Sequence, residues 1–141
     1  MGKLDGRCLC GAVTYSSEAE PMFTGMCHCR DCQRQHGTAF SVVVGVPAGS
    51  FRTEGELASH TTVGDDHGEA VQRFFCPGCG SPIYSLSPAA PGLALIKSGT
   101  LDDTSWLQPQ VEIWGSSAQP WVAEVEGRTR IDRGPTHVPT G

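Results

Sequence analysis

Only two lysines, Lys3 and Lys97, occur in a chain of 141 residues, and 10 Lys+Arg against 15 Asp+Glu leave a formal charge of -5. There is no lysine- or arginine-rich tract, so the basic footprint of a nucleic-acid-binding surface is missing. Aromatic residues make up 7% and hydrophobic residues 38%, which is thin for a core of this size. No apolar run approaches the roughly 20 residues of a membrane-spanning helix. No internal repeat is present, and no segment sustains a helical period beyond about three turns. The opening stretch MGKLDGRCLCG lacks the apolar run of a signal peptide. These absences lead to the expectation of one soluble domain over 1–141, with no nucleic-acid or membrane partner; a homo-oligomer is compatible with them.

Glycine (18), proline (10) and cysteine (7) are what the chain has in quantity. Frequent glycine and proline make turns many and regular elements short, and such a chain usually needs a metal or disulfide staple besides burial. Seven cysteines cannot all pair, and Cys8 and Cys10, one residue apart, rarely bridge each other without strain. Metal-bound thiolates in a reducing cytoplasm are the expectation. Ionising seven thiols against two divalent ions makes the charge balance more negative still.

Alternation and turn signals predict strands at 11–15, 22–26, 39–46, 60–63, 70–75, 82–86, 93–97 and 110–114, with a polar loop at 64–68. The polar stretch 30–36 is free of glycine and proline and suits a helical turn or two, with Gly37 placed to end it. The result is an all-β fold of mainly antiparallel short strands with at most one or two helical turns. The proline-rich tail 131–141 is expected to be loosely held.

The cysteines fall into Cys8-Leu-Cys10, Cys27-His-Cys29-Arg-Asp-Cys32 and Cys76-Pro-Gly-Cys79. Closely spaced cysteines form half of a tetrahedral zinc site, and two halves complete it. Cys8/Cys10 with Cys76/Cys79 suit such a closed structural site. The alternative for Cys76/Cys79 is a redox pair, against which stands the absence of a βαβ pattern around it. Cys27, Cys29 and Cys32 are then one ligand short, which leaves a position for water or substrate unless His28, His36 or a distant residue fills it. Of the two histidines His36 is the more credible ligand, because His28 sits between two ligating cysteines. Zinc with three thiolates carries one net negative charge, so it polarises a carbonyl weakly but can hold an incoming thiol as thiolate. Arg30 and Arg34 could offset that charge or hold a substrate carboxylate, or could simply lie on a solvated helix face.

The series Gly6-Arg-Cys8-Leu-Cys10-Gly-Ala-Val-Thr-Tyr15, Cys27-His-Cys29-Arg-Asp-Cys32-Gln-Arg34 and Cys76-Pro-Gly-Cys79-Gly-Ser-Pro-Ile-Tyr84 resembles the glutathione-dependent formaldehyde-activating enzyme family, which also includes centromere protein V. The likeness runs over about 6–121. It implies an Mss4-like fold of β-sheets pinned by zinc. It likewise implies a structural zinc on Cys8, Cys10, Cys76 and Cys79 and a catalytic zinc on Cys27, Cys29 and Cys32. The activity it implies is addition of glutathione to formaldehyde, formally a carbon–sulfur lyase in reverse. Glu112 departs from the family, many of whose members carry histidine there.

Two classes of function follow. In the first, a thiol such as glutathione is held as thiolate and attacks formaldehyde or another small aldehyde, with His28 or His36 moving the proton; for each histidine the competing reading is a surface residue. Phe40 and Tyr84 would line the pocket or belong to the core. In the second, both zincs are structural and the domain binds a protein partner. Trp106, Trp114 and Trp121 would then be the exposed anchor, where the competing reading makes all three core.

Overall fold

A computed structural model describes residues 3–63 and 70–134. The chain runs through β1 (Leu4–Arg7), β2 (Thr14–Ser17), β3 (Phe23–Cys27), α1 (Arg30–His36), β4 (Ser41–Pro47), β5 (Phe51–Glu54), β6 (Ala58–Val63), β7 (Ala70–Phe75), β8 (Pro82–Leu86), β9 (Leu93–Lys97), β10 (Val111–Ile113) and β11 (Thr129–Arg130). Single 3-10 turns add to the one α-helix among the described residues. Strands β1, β2 and β5 form a small antiparallel sheet in the order β1-β2-β5. The larger sheet has the order β11-β10-β3-β4-β9-β8-β7-β6. Its pairs are antiparallel from β3 through β6, while β10 runs parallel to both β3 and β11. No helix among the described residues is long and apolar enough to cross a membrane.

The all-β expectation is met, and differences in strand bounds have local causes. The strand expected from residue 11 starts at Thr14, because Gly11 turns at φ 82° and the Val13 amide turns back onto Cys8 Sγ at 3.3 Å. Three strands were not foreseen: β1, β5 and β11. The loop at 64–68 and residues 135–141 of the tail lie outside the described residues. Earlier in that tail, Ile131 and Asp132 accept hydrogen bonds from the Gly115 and Ser116 amides at 2.8 and 3.1 Å.

Leu4, Val13, Tyr15, Val44, Val46, Ile83, Ala94, Ile96 and Leu101 form the main core, with Cys8 and Cys76 packed among them. Strand β9 lies between β4 and β8, and buried residues alternate onto both of its faces. Its last residue, Lys97, is therefore buried. In β7 the two-residue alternation puts Arg73 on the inward face with Val71. A second, smaller cluster joins Cys29, Cys32 and Trp114, with Cys27 and Ile113 against it. Trp106 packs on the main core and Trp114 is buried, but Trp121 is 75% exposed and is not a core residue.

Candidate metal centres

Two turns facing each other build the first centre. The Cys8 carbonyl accepts from the Gly11 amide and the Cys76 carbonyl from the Gly80 amide, and each turn closes on a glycine at positive φ. The sulfurs of Cys8, Cys10, Cys76 and Cys79 all lie within 4.8 Å of one another. Cys8 Sγ is 3.6 Å from Cys10 Sγ, and Cys10 Sγ is 3.8 Å from Cys76 Sγ. A tetrahedron with Zn–S bonds of about 2.3 Å has edges of about 3.8 Å, so the four sulfurs fit zinc. No disulfide joins any of the seven cysteines. Ser81 ties the two turns together, accepting the Leu9 amide at 3.0 Å and lying 3.2 Å from Cys79 Sγ. Hydrogen bonds from the Ser81 side chain and backbone lower the Cys79 thiol to about 5.

The second centre is local. Cys27 ends β3, Cys29 is the N-cap of α1, and Cys32 lies in its first turn. The Cys32 amide donates to Cys29 Sγ at 3.4 Å, so sulfur replaces the usual oxygen cap. Gly37, at φ 66°, ends the helix as expected. The three sulfurs lie within 4.8 Å of one another, and no histidine, carboxylate or further cysteine joins the group among the described residues. Hydrogen bonds from Cys27 and Cys29 hold Cys32 well below the ordinary thiol range, and the same contacts push Cys27 up. One thiolate, on Cys32, is thus favoured, while the contacts among the three hold the Cys27 and Cys29 thiols up. Three sulfurs suit zinc with one position open.

Neither histidine is a surface residue, which corrects that competing reading. His28 is fully buried; its Nε2 donates to Glu112 Oε1 at 2.6 Å, its ring meets Phe40 edge-on, and its Nδ1 has no partner among the described residues. His36 is half-buried, with Nδ1 2.9 Å from the Cys32 carbonyl oxygen and Nε2 buried without a partner among the described residues. Burial, then the nearby Lys97 charge, lower the His36 pKa, so it is neutral near pH 7. With Nδ1–H donating to the carbonyl, Nε2 keeps a free lone pair. Arg30 and Arg34 are exposed on α1, and Arg30 donates to Gln33 Oε1. Tyr84 stacks on Phe74 with ring centroids 4.4 Å apart.

Two buried cations, Arg73 and Lys97, were not singled out. Arg73, 5% exposed, places Nη1 3.9 Å from Cys32 Sγ and is fixed by Gln35 Oε1 and Thr62 Oγ1, each at 2.9 Å. Lys97, also 5% exposed, is lowered to about 8 by burial despite the opposing pull of the Cys32 charge. The alternation Val71-Gln-Arg73 carried a signal for Arg73, since it puts the arginine on the face of a buried valine. Glu112 was seen only as a departure from a pattern. It is 1% exposed and binds Arg130 Nη2 at 2.9 Å and Arg128 Nη1 at 3.4 Å besides His28. Gln33, beneath the cluster, donates to the carbonyls of His28 and Ser117 at 2.6 and 3.1 Å.

Comparison with known proteins agrees with this geometry. The sequence profile of the glutathione-dependent formaldehyde-activating enzyme family matches residues 3–117. A protein of Fusarium vanettenii, provisionally named a glutathione-dependent formaldehyde-activating enzyme, is 27% identical over 124 residues, covering 82% of this chain and 63% of its own length. A similarly named protein of Aspergillus flavus is 26% identical over 108 residues, covering 73% of this chain and 56% of its own length. The chain therefore spans about three fifths of these relatives. A Rhodobacter sphaeroides protein of known structure shares the fold, with a TM-score of 0.56 at 18% identity over 74% of this chain and 91% of that one. With the profile matched over most of its length and both cysteine groups assembled, the chain belongs to the glutathione-dependent formaldehyde-activating enzyme family.

Proposed function

We propose that this protein is a zinc-dependent enzyme of carbon–sulfur bond chemistry, adding a thiol such as glutathione to formaldehyde or another small aldehyde. The observation that carries this reading is the convergence of Cys27, Cys29 and Cys32 without a fourth protein donor among the described residues. Zinc bound there would offer its open position to the substrate sulfur and favour the thiolate form. The reaction is a balanced addition. A sulfur–carbon bond forms, the carbonyl π bond breaks, and the thiol proton ends on the new hydroxyl oxygen, giving an S-hydroxyalkyl adduct.

The chain's own groups serve the remaining steps. His36 Nε2, neutral and without a partner among the described residues, takes the thiol proton and returns it to oxygen. His28, locked by Glu112, is the second candidate for that transfer. Arg30 and Arg34 at the exposed rim of α1 meet substrate carboxylates. Cys8, Cys10, Cys76 and Cys79 hold a second zinc whose role is structural. Seven free thiols favour a reducing, cytoplasmic setting.

The test is the exchange rate between free formaldehyde and its glutathione adduct, measured by two-dimensional exchange NMR with native protein and with Cys32→Ser. Acceleration by the native protein alone is expected. A second reading, a zinc-stabilised module that binds a protein partner, draws on the exposure of Trp121 and Val125. Equal exchange with and without native protein would move the balance to it.

A further inference from the structure

We propose that Arg73 and Lys97 determine the specificity of the Cys27/Cys29/Cys32 centre, setting its charge so that it accepts an anionic sulfur and rejects a neutral one. This rests on the reading of the three cysteines as a zinc site. Among the described residues the buried charged side chains are Arg73, Lys97 and Glu112, beside the ionisable His28. The Glu112 carboxylate is taken by His28, Arg128 and Arg130. Neither Arg73 nor Lys97 pairs with a carboxylate among the described residues. A buried cation without a counter-charge is strongly unfavourable. Among the described residues the group placed to supply it is the cysteine cluster: Arg73 Nη1 lies 3.9 Å from Cys32 Sγ, and Lys97 stands on the same face of the sheet as Cys27, through the pairs Cys27↔Ser41 and Val43↔Lys97.

The charge count then decides what the centre admits. A divalent ion with three thiolates carries one net negative charge, and two fixed cations turn that into one net positive charge. A neutral donor would leave the positive charge buried, whereas one thiolate cancels it. Hydroxide is the competing anion, but three thiolates largely neutralise the metal and so weaken its power to ionise water. Arg73 is braced by Gln35 of α1 and Thr62 of β6, so its charge is aimed rather than free to leave. On this view specificity lies in two side chains of the sheet, on β7 and β9, outside the cysteine motif itself.

The test loads the protein with cobalt(II), whose sulfur-to-metal charge-transfer absorption reports each sulfur that binds, and needs no turnover. Native protein, Lys97→Met, Lys97→Arg and Arg73→Gln are titrated with glutathione and with S-methylglutathione, in which the sulfur cannot ionise. Native protein should take up two cobalt ions per chain and gain absorption with glutathione only. Lys97→Met and Arg73→Gln should weaken glutathione about tenfold or more at unchanged cobalt content, and Lys97→Arg should restore it. Unchanged affinity in the neutral variants, or equal binding of the S-methyl probe, would overturn the proposal. Two cobalt ions without any response to thiol would sink the proposal alone. One cobalt ion per chain in native protein would remove the metal reading beneath it as well. If the neutral variants do not fold, equal binding of the two probes by native protein would still overturn the proposal.

Discussion

Glu112 lies on a three-residue strand with 1% of its surface exposed, and it is held ionised. Burial alone would raise its pKa; the hydrogen bond from His28 and the arginines at 128 and 130 override burial and lower it. A lowered carboxylate contributes stability in full above the ordinary glutamate pKa, and that contribution drains away as pH falls through the lower native value. Acid unfolding of the native protein should therefore steepen below about pH 4, and Glu112→Gln should flatten that limb in a pH-resolved urea series. Glu112→Ala strands His28 and two guanidinium groups, and should cost about 3–5 kcal/mol by the urea midpoint. This network was illegible in the sequence, because Glu112 meets His28 across 84 residues and no local spacing links them. Arg73 was hidden for the same reason: its neighbour Cys32 is 41 residues away. The cysteines were legible because a metal half-site is written within two or three residues.

Elements were readable where their bounds carry glycine or proline and their interior carries β-branched residues, as in β4 and β9. They were missed where too few residues alternate to give a period. In β1 the inward positions are Leu4 and Gly6, and a glycine contributes no apolar signal. Strand β11 has two residues and exists only because β10 offers it an edge. The glycines of β strands also carry information that the sequence conceals. Gly45 on β4 faces Phe23 on β3 across the pair, and a Cβ added there would collide with the ring. Gly45→Ala should cost about 1–3 kcal/mol in chemical denaturation, with the larger loss if the phenyl ring cannot rotate aside.

For the whole molecule, the two cysteine groups stand in unlike relation to the core. Cys8 and Cys76 belong to the main core cluster, while Cys29 and Cys32 belong to the small cluster around Trp114. Replacing Cys76 by serine should abolish cooperative folding, because the ligands that join the two ends of the core would lose a thiolate. Replacing Cys32 by serine should leave a cooperative transition while metal content falls from two ions toward one, read by elemental analysis of folded protein. Unfolding of the Cys32→Ser protein would invert the roles given to the two centres.

The distances along the chain have a consequence for synthesis. Cys27, Cys29 and Cys32 leave the ribosome almost together and can capture an ion as soon as they emerge. Cys10 must wait for Cys76, 66 residues later. Throughout that interval the nascent chain holds two free sulfurs beside a cluster that is one ligand short. An ion captured early therefore has a wrong fourth sulfur within reach, at Cys8 or Cys10. Cys8 and Cys10 lie in the connection between β1 and β2, which pair antiparallel over 4–7 and 14–17. Order of synthesis would therefore let a metal fill the second centre first, and the first centre only once Cys76 and Cys79 had been made.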